Sequence, residues 1–274
     1  MNLTVSIVTY NNALEMLQRT LASLREAAEQ GLEAGAVSNV AVSLVDNGSD
    51  TAYRRRLEQL VADQSTQATY QLDFVPLAQN RGFGAGHNAA LARSRGDYHL
   101  VLNPDVEIAA DALAVGLIRL QNAPELALLS PRCTGGSGEQ EFLCKRYPSL
   151  MVLALRAFAP GLGRRLFPAR MEAYEMSDTC GDVNEVEVPL ASGCFMLTRG
   201  AQLAEVGDFD EGYFLYFEDF DLSLRLSRLG KVLYLPQMRI VHHGGYAASK
   251  GLAHLRMFAS AGLRFFRQHG WRWT

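Results

Sequence analysis

The stretch "LTVSIVTYNNALEMLQRTLASLREAAEQ", residues 3–30, decides the fold class because it joins one kind of regular structure directly to another. Its first eight residues are mostly apolar and β-branched, which predicts a buried strand. From Ala13 to Gln30, leucines recur at helical spacing and predict a helix with one apolar face. These leucines are Leu14, Leu17, Leu21 and Leu24. A strand followed at once by a helix is the first half of a βαβ unit.

The same alternation continues as far as residue 103. Three more strands are predicted, at "NVAVSLVDN" (39–47), "YQLDFVPLA" (70–78) and "YHLVLN" (98–103). Helices are predicted between them, from about Thr51 to Asp63 and around Asn88 to Ser94. Strands separated by helices indicate parallel pairing in a doubly wound α/β sheet.

The second half of the chain is less regular. Residues 133–185 contain glycine-rich, proline-bearing and basic pieces, which are typical of an insertion or an additional lobe. The stretch "VEVPLASGCFMLTR", residues 186–199, predicts a strand pair or a strand and a turn. From Glu218 to Arg228 a helix is predicted, with Leu222, Leu226 and Leu229 facing inward.

The charge of the chain is unevenly distributed. The 274 residues are 48% hydrophobic and 20% charged, which is typical of a soluble globular protein with one large α/β domain or two small ones. The formal net charge is −3, yet Asp221 is the last acidic residue, and residues 222–274 carry nine Lys or Arg. This basic end suggests an anionic partner or surface.

Cysteine spacing and hydropathy indicate the compartment. Cys133, Cys144, Cys180 and Cys194 show no C-x-x-C spacing, so we expect free thiols in a reducing compartment and no structural zinc site. The opening residues lack the basic segment of a signal peptide. No apolar run reaches the roughly 20 residues of a membrane span. We therefore expect a cytoplasmic protein, soluble or peripheral to a membrane.

Polar clusters follow four of the predicted strands. They are Thr9-Tyr10-Asn11, Asp46-Asn47-Gly48-Ser49, Asn80 to Asn88, and Asn103-Pro104-Asp105. Ligands of parallel sheets bind outside the carboxyl ends of the strands, so these clusters are expected to converge on one crevice. Four independent loops are the alternative, because loops favour these residues anyway.

The glycines argue against a dinucleotide-binding protein. Such a site needs a glycine-rich turn directly after the first strand, but "TYNNAL" contains no glycine, and no P-loop is present. The glycines follow the third strand instead, in "NRGFGAGHN", where Gly82, Gly84 and Gly86 alternate around Phe83. Small residues there let a ligand approach backbone N–H groups at the start of a helix, which suits phosphate or sugar hydroxyls.

Seven motifs in order resemble those of the inverting family 2 glycosyltransferases with the GT-A fold, in particular their rhamnosyltransferase-like branch. The motifs are "SIVTYNN", "VDNGSD", "NRGFGAGHN", "LNPD", "SGCFMLTR", "YFEDFDLSLRL" and "VHHGG", and they extend from about Val5 to Gly245. The resemblance implies a Rossmann-like, mostly parallel central sheet flanked by helices, with an acceptor-side lobe and a C-terminal helical tail. It implies one catalytic domain at 1–245 and a basic amphipathic tail at 246–274. Within that domain, residues 1–105 bind the nucleotide sugar, and residues 106–245, with an insertion at about 133–185, bind the acceptor.

The resemblance implies a role for Asn103-Pro104-Asp105, where the fourth predicted strand ends. The pattern is similar to the Asp-x-Asp element whose last acid holds a divalent metal, Mg²⁺ or Mn²⁺, on the sugar-nucleotide diphosphate. A metal neutralises charge on the leaving group and prefers oxygen ligands, which Asp105 supplies. Asn103 would form a hydrogen bond to the ribose or the sugar. The resemblance makes His242 the second ligand, while His243 has a plain loop as its alternative.

The resemblance also implies a nucleoside site at the ends of the first two strands. Thr9 and Asn11 would meet the base or ribose, and Asp46 would accept from the ring N–H of uracil or thymine, which cytosine lacks. A plain turn is the local alternative for Asp46-Asn47-Gly48. The nucleotide-sugar residues implied are Thr9, Tyr10, Asn11, Asp46, Asn47, Ser49, Asn80, Gly82, Phe83, Gly84, Gly86, Asn88 and Asn103.

Inversion requires a carboxylate that takes a proton from the acceptor hydroxyl. Asp219 matches the family's base by position, and Glu218 is its nearest competitor. Without the resemblance, capping of the helix by these acids is the better interpretation. Asp221 lies four residues before Arg225 and can pair with it. The acceptor or sugar side would comprise Ser192, Gly193, Cys194 and Asp221.

These features predict a metal-dependent inverting glycosyltransferase. We expect transfer of L-rhamnose from dTDP-L-rhamnose to a hydroxyl of a bacterial cell-surface glycan or lipid-linked glycan, with no nucleic-acid partner. A UDP-sugar transferase, for example of galactofuranose, is the first alternative. An inactive nucleotide-sugar binding module is the second.

The acid-free C-terminal end has two interpretations. From Gly251 to His269 a helix is predicted whose apolar stripe comprises Leu252, Leu255, Ala259, Gly262 and Phe266. Arg256, Arg264 and Arg267 lie on its other side, and Trp271 and Trp273 follow. The stripe either packs on the catalytic domain, leaving the arginines solvated, or contributes to peripheral attachment at the inner face of the cytoplasmic membrane.

Overall fold

One mixed sheet with helices on both faces forms the protein. The structure is a computed structural model that describes residues 1–65, 69–244 and 252–274. Its strands are β1 (Asn2–Thr9), β2 (Asn39–Asp46), β3 (Gln71–Pro76), β4 (Tyr98–Leu102), β5 (Val106–Ile108), β6 (Leu126–Gly135), β7 (Gln140–Glu141), β8 (Val186–Glu187), β9 (Phe195–Arg199) and β10 (Lys231–His242). Its helices are α1 (Leu14–Glu33), α2 (Thr51–Ser65), α3 (Phe83–Leu91), α4 (Ala112–Gln121), α5 (Leu150–Phe158), α6 (Pro160–Leu166), α7 (Pro168–Glu175), α8 (Gly200–Glu205), α9 (Glu218–Leu226) and α10 (Leu252–His269).

The strand order across the sheet is β3-β2-β1-β4-β9-β6-β10-β5, with β7 beside β6 and β8 beside β10. The first four strands are parallel to one another, and β9 is antiparallel to both of its neighbours. The predicted mostly parallel sheet flanked by helices is therefore confirmed. Parallel strands need crossover helices, and the strand–helix alternation of residues 3–103 supplies them.

Alternate residues of β4 show that both faces of the sheet are covered. Leu100 and Leu102 belong to the buried cluster that includes α1, α2 and α4, whereas Val101 belongs to the cluster that includes α3, α8 and α9. The side chains of successive strand residues point to opposite faces, so one layer of helices lies on each side. Both faces of the sheet are therefore buried, and a ligand can reach the sheet only at the ends of its strands.

The polar strand ends converge, as predicted. Thr9 at the end of β1 is in register with Asp46 at the end of β2, which is in register with Pro76 at the end of β3. Ile7 of β1 pairs with Leu102, the last residue of β4. Four carboxyl ends thus lie along one edge of the sheet, so the alternative of four independent loops is wrong.

Several element boundaries differ from the sequence prediction. Helix α3 begins at Phe83 instead of near Asn88, because the alternating glycines are themselves its first turn. The stretch 186–199, predicted as a strand pair or a strand and a turn, holds two strands that do not pair with each other, since β8 pairs with β10 and β9 pairs with β4 and β6. Strand β6 continues to Gly135, so the first residues assigned to the insertion belong to the sheet. Neighbouring strands that are distant in sequence decide these boundaries.

A third buried cluster, which we call the aromatic core, joins the insertion to the C-terminal helix. Its members are Val152, Leu153, Met171, Tyr174, Tyr213, Phe217, Ala261, Phe265 and Phe266. The cluster therefore holds α5, α7 and α10 against the segment that precedes α9. No helix among the residues described is long and apolar enough to cross a membrane.

The apolar stripe predicted for α10 is partly wrong. Gly262 and Phe266 are buried, but Leu255 and Ala259 are exposed, because the helix turns Ala261 and Phe265 toward the aromatic core. Arg264 is not simply solvated, since it forms an ion pair with Asp210 at 2.7 Å. Gly245 and residues 246–251, with the predicted start of the helix at Gly251, lie outside the described residues, as does the side chain of Leu252.

Candidate active site

Asp105 and His242 meet because the strand that follows Pro104 turns back beside β10. Val106 at the start of β5 is the antiparallel partner of His242 at the end of β10. The main-chain N–H of His243 donates to the carbonyl oxygen of Asp105 at 2.9 Å. Nε2 of His242 consequently lies 3.6 Å from Oδ1 of Asp105. The two residues that the resemblance named as ligands are thus neighbours in space, although 137 positions separate them in the sequence.

The surroundings of this pair fit a divalent cation. Oδ1 of Asp105 is buried and has no hydrogen-bond partner among the residues described. A Cβ atom at Gly244 would overlap Oδ2 of Asp105 and would lie 2.8 Å from Nε2 of His242, so only glycine leaves this space open. One ion bonded at about 2.1 Å can contact two atoms that lie less than about 4.2 Å apart. The pair therefore meets the basic requirement for sharing one ion.

Glu141 on β7 completes this group, and no sequence motif pointed to it. Its Oε2 lies 3.0 Å from Nδ1 of His242, and Sγ of Cys133 donates to the same oxygen at 3.9 Å. Burial lowers the pKa of His242, but hydrogen bonds and charges from Asp105 and Glu141 outweigh it and raise the pKa above its ordinary value. Burial and the charge of Glu141 raise the pKa of Cys133 to about 12, so the thiol keeps its proton. Glu141 thus fixes the imidazole with Nε2 toward Asp105.

The segment that leads into α9 is strained. Tyr216 and Phe217, neither of them glycine, adopt φ angles of 73° and 66°. Left-handed conformations of this kind cost about 1–3 kcal/mol each and persist only where surrounding contacts hold them. Phe217 is buried in the aromatic core, with its ring centroid 5.3 Å from that of Phe265. This packing fixes the direction in which the next two residues, Glu218 and Asp219, project.

Asp219 is held as an acceptor of backbone hydrogen bonds. Its Oδ2 accepts from the N–H of Gly193 at 2.9 Å, and its Oδ1 accepts from the N–H of Phe220 at 2.8 Å. Burial raises the pKa of Asp219, while these two N–H groups act in the opposite direction. A Cβ atom at Gly193 would lie 3.0 Å from the Phe83 ring and 3.3 Å from Cβ of Asp219. Gly193 therefore joins the candidate base to the glycine-rich helix.

Glu218 is the protonated member of the pair. Its side chain is only 4% exposed, and Oε2 has no hydrogen-bond partner among the residues described. Burial, followed by the charge of Asp219, raises the pKa of Glu218 to about 8. Because the backbone N–H groups stabilise the Asp219 carboxylate and none of this kind reaches Oε2 of Glu218, the shared proton resides on Glu218 near neutral pH. Asp219 is then the group that can accept a proton.

Asp221 ties α9 to α10. Its Oδ2 accepts from Nε of Arg225 at 2.8 Å, which is the pairing expected from their spacing, and its Oδ1 lies 2.8 Å from Nε2 of His269. Asp221 is 2% exposed. Both oxygens of this carboxylate, predicted also for the acceptor side, are thus engaged within the protein.

The glycine-rich segment is bound to the end of β2 through Asn47. Nδ2 of Asn47 donates to the carbonyl oxygen of Gly82 at 2.9 Å and to Oδ1 of Asn80 at 3.1 Å, and Oδ1 accepts from the N–H of Arg81 at 3.0 Å. Gly82 has φ 93°, and a Cβ atom there would overlap the carbonyl oxygen of Phe214. Glycine is therefore required at position 82 for its conformation and for this close approach.

Several of the predicted nucleotide-binding side chains are buried and hydrogen-bonded within the protein. Oγ1 of Thr9 lies 2.6 Å from the Tyr53 hydroxyl. Asp46 is fully buried, with Oδ2 2.6 Å from Nε of Arg54 and Oδ1 accepting from the N–H of Ser49 at 3.0 Å. These contacts shape the loop, as the plain-turn interpretation of Asp46 expected. Any contact between Asp46 and a base requires Arg54 to move.

The remaining predicted residues fall into three groups. Tyr10 and Asn11 are exposed, and the N–H of Asn11 donates to Oγ of Ser49 at 3.0 Å. Asn88 braces the segment before the strained turn, because its Nδ2 donates to the carbonyl oxygen of Phe209 at 2.9 Å. The other predicted residues lie on or beside α3 and the start of β9: Gly84, Gly86, Asn103, Ser192 and Cys194. The N–H of Asn103 donates to the carbonyl oxygen of Cys194 at 2.9 Å, which joins the end of β4 to that stretch.

Comparison with known sequences gives consistent matches. The sequence profile of Glycosyl transferase family 2 matches residues 4–181. The chain is 29% identical over 299 residues to an N-acetylglucosaminyl-diphospho-decaprenol L-rhamnosyltransferase of Mycobacterium tuberculosis, covering 99% of this chain and 88% of that protein. It is also 29% identical over 212 residues to rhamnosyltransferase WbbL of Escherichia coli K12, covering 72% of this chain and 75% of that protein.

Comparison with solved structures establishes the fold. GalNAc-T7 with UDP, GalNAc and Mn²⁺ matches with a TM-score of 0.69 at 14% identity, covering 97% of this chain and 48% of that one. The mannosyltransferase PcManGT of Pyrobaculum calidifontis, with GDP-Man and Mn²⁺, matches with a TM-score of 0.61 at 16% identity, covering 97% and 63%. Staphylococcus aureus TarS with UDP-GlcNAc matches at 0.59 and 16% identity, covering 92% and 61%. The expected GT-A fold is confirmed.

Proposed function

Because the chain belongs to glycosyl transferase family 2, we propose that it transfers L-rhamnose from dTDP-L-rhamnose to a hydroxyl of a lipid-linked or cell-surface glycan, inverting the anomeric carbon. The observation that carries the catalytic part of this proposal is the division of protonation between Glu218 and Asp219. The carboxylate of Asp219 accepts hydrogen bonds from the N–H groups of Gly193 and Phe220, whereas Oε2 of Glu218 has no partner among the residues described. The choice of sugar rests on the two rhamnosyltransferases that the chain is similar to.

Asp219 is the general base of the proposed reaction. Its carboxylate takes the proton of the acceptor hydroxyl as that oxygen forms a bond to the anomeric carbon of the donor. The bond from this carbon to the nucleoside diphosphate breaks with the electron pair leaving on the diphosphate. Attack from the face opposite the leaving group inverts the configuration. General-base assistance of this kind contributes typically about 10²–10⁴-fold in rate.

Asp105 and His242 are the proposed ligands of a divalent cation, Mg²⁺ or Mn²⁺. The ion would neutralise the charge of the nucleoside diphosphate. The support from this chain is the buried, unpartnered oxygen of Asp105 and the space that Gly244 leaves beside it. Glu141 acts through His242 by holding Nδ1, which leaves Nε2 free toward Asp105.

The donor is proposed to lie along the carboxyl ends of β1, β2 and β4. Tyr10 and Asn11 are exposed there and can meet the base or ribose without rearrangement. Contact of the base with Asp46 remains part of the proposal and needs Arg54 to swing away. The backbone of the Gly82–Gly86 segment faces the same edge because Asn47 binds it to the end of β2.

The acceptor is proposed to be a lipid-linked amino sugar diphosphate. The support is the name of the mycobacterial relative, which specifies an N-acetylglucosaminyl-diphospho-decaprenol acceptor. An enzyme with such an acceptor works where the lipid resides. We therefore place the protein, as part of the same proposal, peripherally on the inner face of the cytoplasmic membrane.

A donor panel tests the proposal. Purified protein is incubated with a short-chain lipid-linked N-acetylglucosamine diphosphate and with dTDP-L-rhamnose, UDP-galactofuranose or UDP-N-acetylglucosamine, with Mg²⁺, Mn²⁺ or a chelator. Transfer from dTDP-L-rhamnose alone supports the proposal. Transfer from UDP-galactofuranose alone would establish the UDP-sugar alternative. Calorimetric binding of a nucleotide sugar without transfer from any donor would establish an inactive binding module.

A further inference from the structure

An open apolar cleft separates α5 from α10. It has a volume of about 270 Å³, and every residue that lines it is apolar or glycine. Helix α5 contributes side chains that include Leu153, Ala157 and Phe158, and α10 contributes side chains that include Leu255, Ala259 and Leu263. The exposed part of the stripe predicted for α10 therefore faces an apolar surface of α5, which belongs to the insertion.

Exposed apolar side chains are concentrated in the helices that line this cleft and in the neighbouring α6. Of the thirteen exposed large apolar side chains among the described residues, eight lie in α5, α6, α10 and the stretches that flank these helices. They are Phe158, Leu162, Leu166, Phe167, Leu255, Leu263, Trp271 and Trp273. Phe158 is 72% and Trp273 is 70% exposed, which is unusual for rings of this size. A grouping of this kind marks an interaction surface better than scattered single residues do.

The two tryptophans are held in place beside the cleft. The carbonyl oxygens of Arg272 and Trp273 accept from the first-turn N–H groups of α5, at Leu150 (2.9 Å) and Met151 (3.3 Å). Those N–H groups have no partner within their own helix, so the C-terminal residues satisfy them. The rings of Trp271 and Trp273 stack with centroids 6.0 Å apart. Their exposure therefore belongs to an ordered surface.

The two helices that line the cleft belong to segments without acidic residues. Residues 142–171 carry six Lys or Arg and no acidic residue, and residues 222–274 carry nine and no acidic residue. The fold brings these two acid-free segments together. Seven of their arginines have no acidic partner among the residues described: Arg164, Arg165, Arg170, Arg228, Arg256, Arg267 and Arg272. An apolar cleft on segments that carry unpaired arginines complements a surface that is negative outside and apolar beneath.

We propose that the cleft, with α6 and the two tryptophans, is the surface by which this protein docks on an anionic phospholipid bilayer. The proposal rests on the function proposed above, in which the acceptor is lipid-linked, and it identifies the insertion as half of the contact. Apolar side chains of α5, α6 and α10 enter the boundary between headgroups and acyl chains. The tryptophans lie at headgroup depth, and the arginines meet the lipid phosphates.

This location couples docking to catalysis. Phe258 of α10 lies on the strained turn, with its ring centroid 5.1 Å from that of Phe217, the residue before Glu218. His269 at the end of the same helix holds Asp221 of α9 at 2.8 Å. The docking surface is thus one layer of side chains away from the candidate base. A bilayer bound to α10 would present the headgroup of a lipid-linked sugar on the side of the protein that carries Asp219.

Vesicle sedimentation with surface variants tests the inference. The full chain is mixed with phosphatidylglycerol–phosphatidylcholine vesicles or with phosphatidylcholine vesicles, at low and high salt. The protein should bind the anionic vesicles at low salt, and the double variant Arg164→Glu/Arg165→Glu should bind at least about tenfold more weakly. Phe158→Glu should weaken binding at both salt concentrations, because it removes an inserted apolar side chain.

Matched changes elsewhere provide the controls. Arg55→Glu/Arg56→Glu makes the same charge change on the exposed face of α2, and Ile118→Glu alters an exposed apolar residue of α4. Both should bind vesicles like the natural chain. Transfer to a soluble short-chain acceptor should be unchanged in all four variants. Vesicle binding without transfer to any acceptor would refute the proposed function and leave the docking surface standing.

Two results would overturn the docking surface. One is equal binding of the natural chain and the Arg164→Glu/Arg165→Glu variant to anionic vesicles. The other is a dimer of the natural chain by light scattering that Phe158→Glu dissociates, with no binding to either kind of vesicle, because the cleft would then be covered by a second copy.

Discussion

Replacing Glu218 with glutamine should remove most of a pH-dependent loss of stability that burial of this carboxyl imposes on the fold. Burial and the neighbouring Asp219 raise the pKa of Glu218 to about 8. In the unfolded chain the pKa of a glutamic acid is about 4.3. Between these two values the folded protein retains the proton that the unfolded chain has released. A rise in pH therefore favours the unfolded chain throughout this interval.

The magnitude follows from the size of the interval. At about 1.4 kcal/mol per pH unit, Glu218 lowers the free energy of unfolding by about 3–4 kcal/mol between about pH 5 and pH 8. The sign is opposite to that of a salt-bridged carboxylate, which stabilises the fold as pH rises. Glutamine has the same shape and stays neutral at every pH. Some pH dependence should remain in the variant, because the pKa of Asp219 is raised as well.

Urea denaturation followed by circular dichroism at pH 5 and pH 8 measures the effect. The difference between these two free energies of unfolding should be markedly smaller in Glu218→Gln than in the natural chain. Glu205→Gln, which changes an exposed residue of α8, should keep the difference of the natural chain. If the natural chain and Glu218→Gln lost the same stability, the carboxyl of Glu218 would not be buried in its neutral form, and the assignment of the proton would be wrong.

Four further changes test the site. Asp219→Asn should slow transfer by about 10²-fold or more while calorimetry shows nearly unchanged donor affinity; lost donor binding with normal turnover at saturation would refute its role as base. Asp105→Ala should abolish metal-dependent donor binding. Activity that survives both this change and a chelator would show that the mechanism needs no metal. Glu141→Gln should weaken Mn²⁺ binding, measured by calorimetry with bound nucleotide, by about 10–100-fold, and unchanged affinity would contradict the positioning role. Backbone strain alone should lower the free energy of unfolding of Gly82→Ala by about 1–3 kcal/mol. The total loss should be larger, because the new Cβ atom overlaps the carbonyl oxygen of Phe214. Gly138→Ala, at a similar φ of 92° but with open space around its Cβ, should show the strain alone, and equal losses would exclude the predicted overlap.

The fold class and the order of the site motifs could be predicted from local sequence patterns alone. The period of apolar residues is a local property of the sequence. The strands and helices of residues 3–103 can therefore be predicted without knowing which elements pack against them. The pairing of Asp221 with Arg225 could be predicted for the same reason, because four residues along a helix bring two side chains onto one face. Pro104 likewise marks the end of a strand wherever that strand lies.

The tertiary structure alone decided which distant groups meet. Glu141 reaches His242 across a separation of 101 residues, through a two-residue strand with no pattern of its own. The different protonation of Glu218 and Asp219 depends on burial and on the N–H of Gly193, and neither is encoded within their own helix. Local spacing also misplaced the buried face of α10, since the partner surface at Phe217 sets which side of the helix turns inward. Desolvation and contact are properties of the packed chain, so they exist only where elements distant in sequence come together.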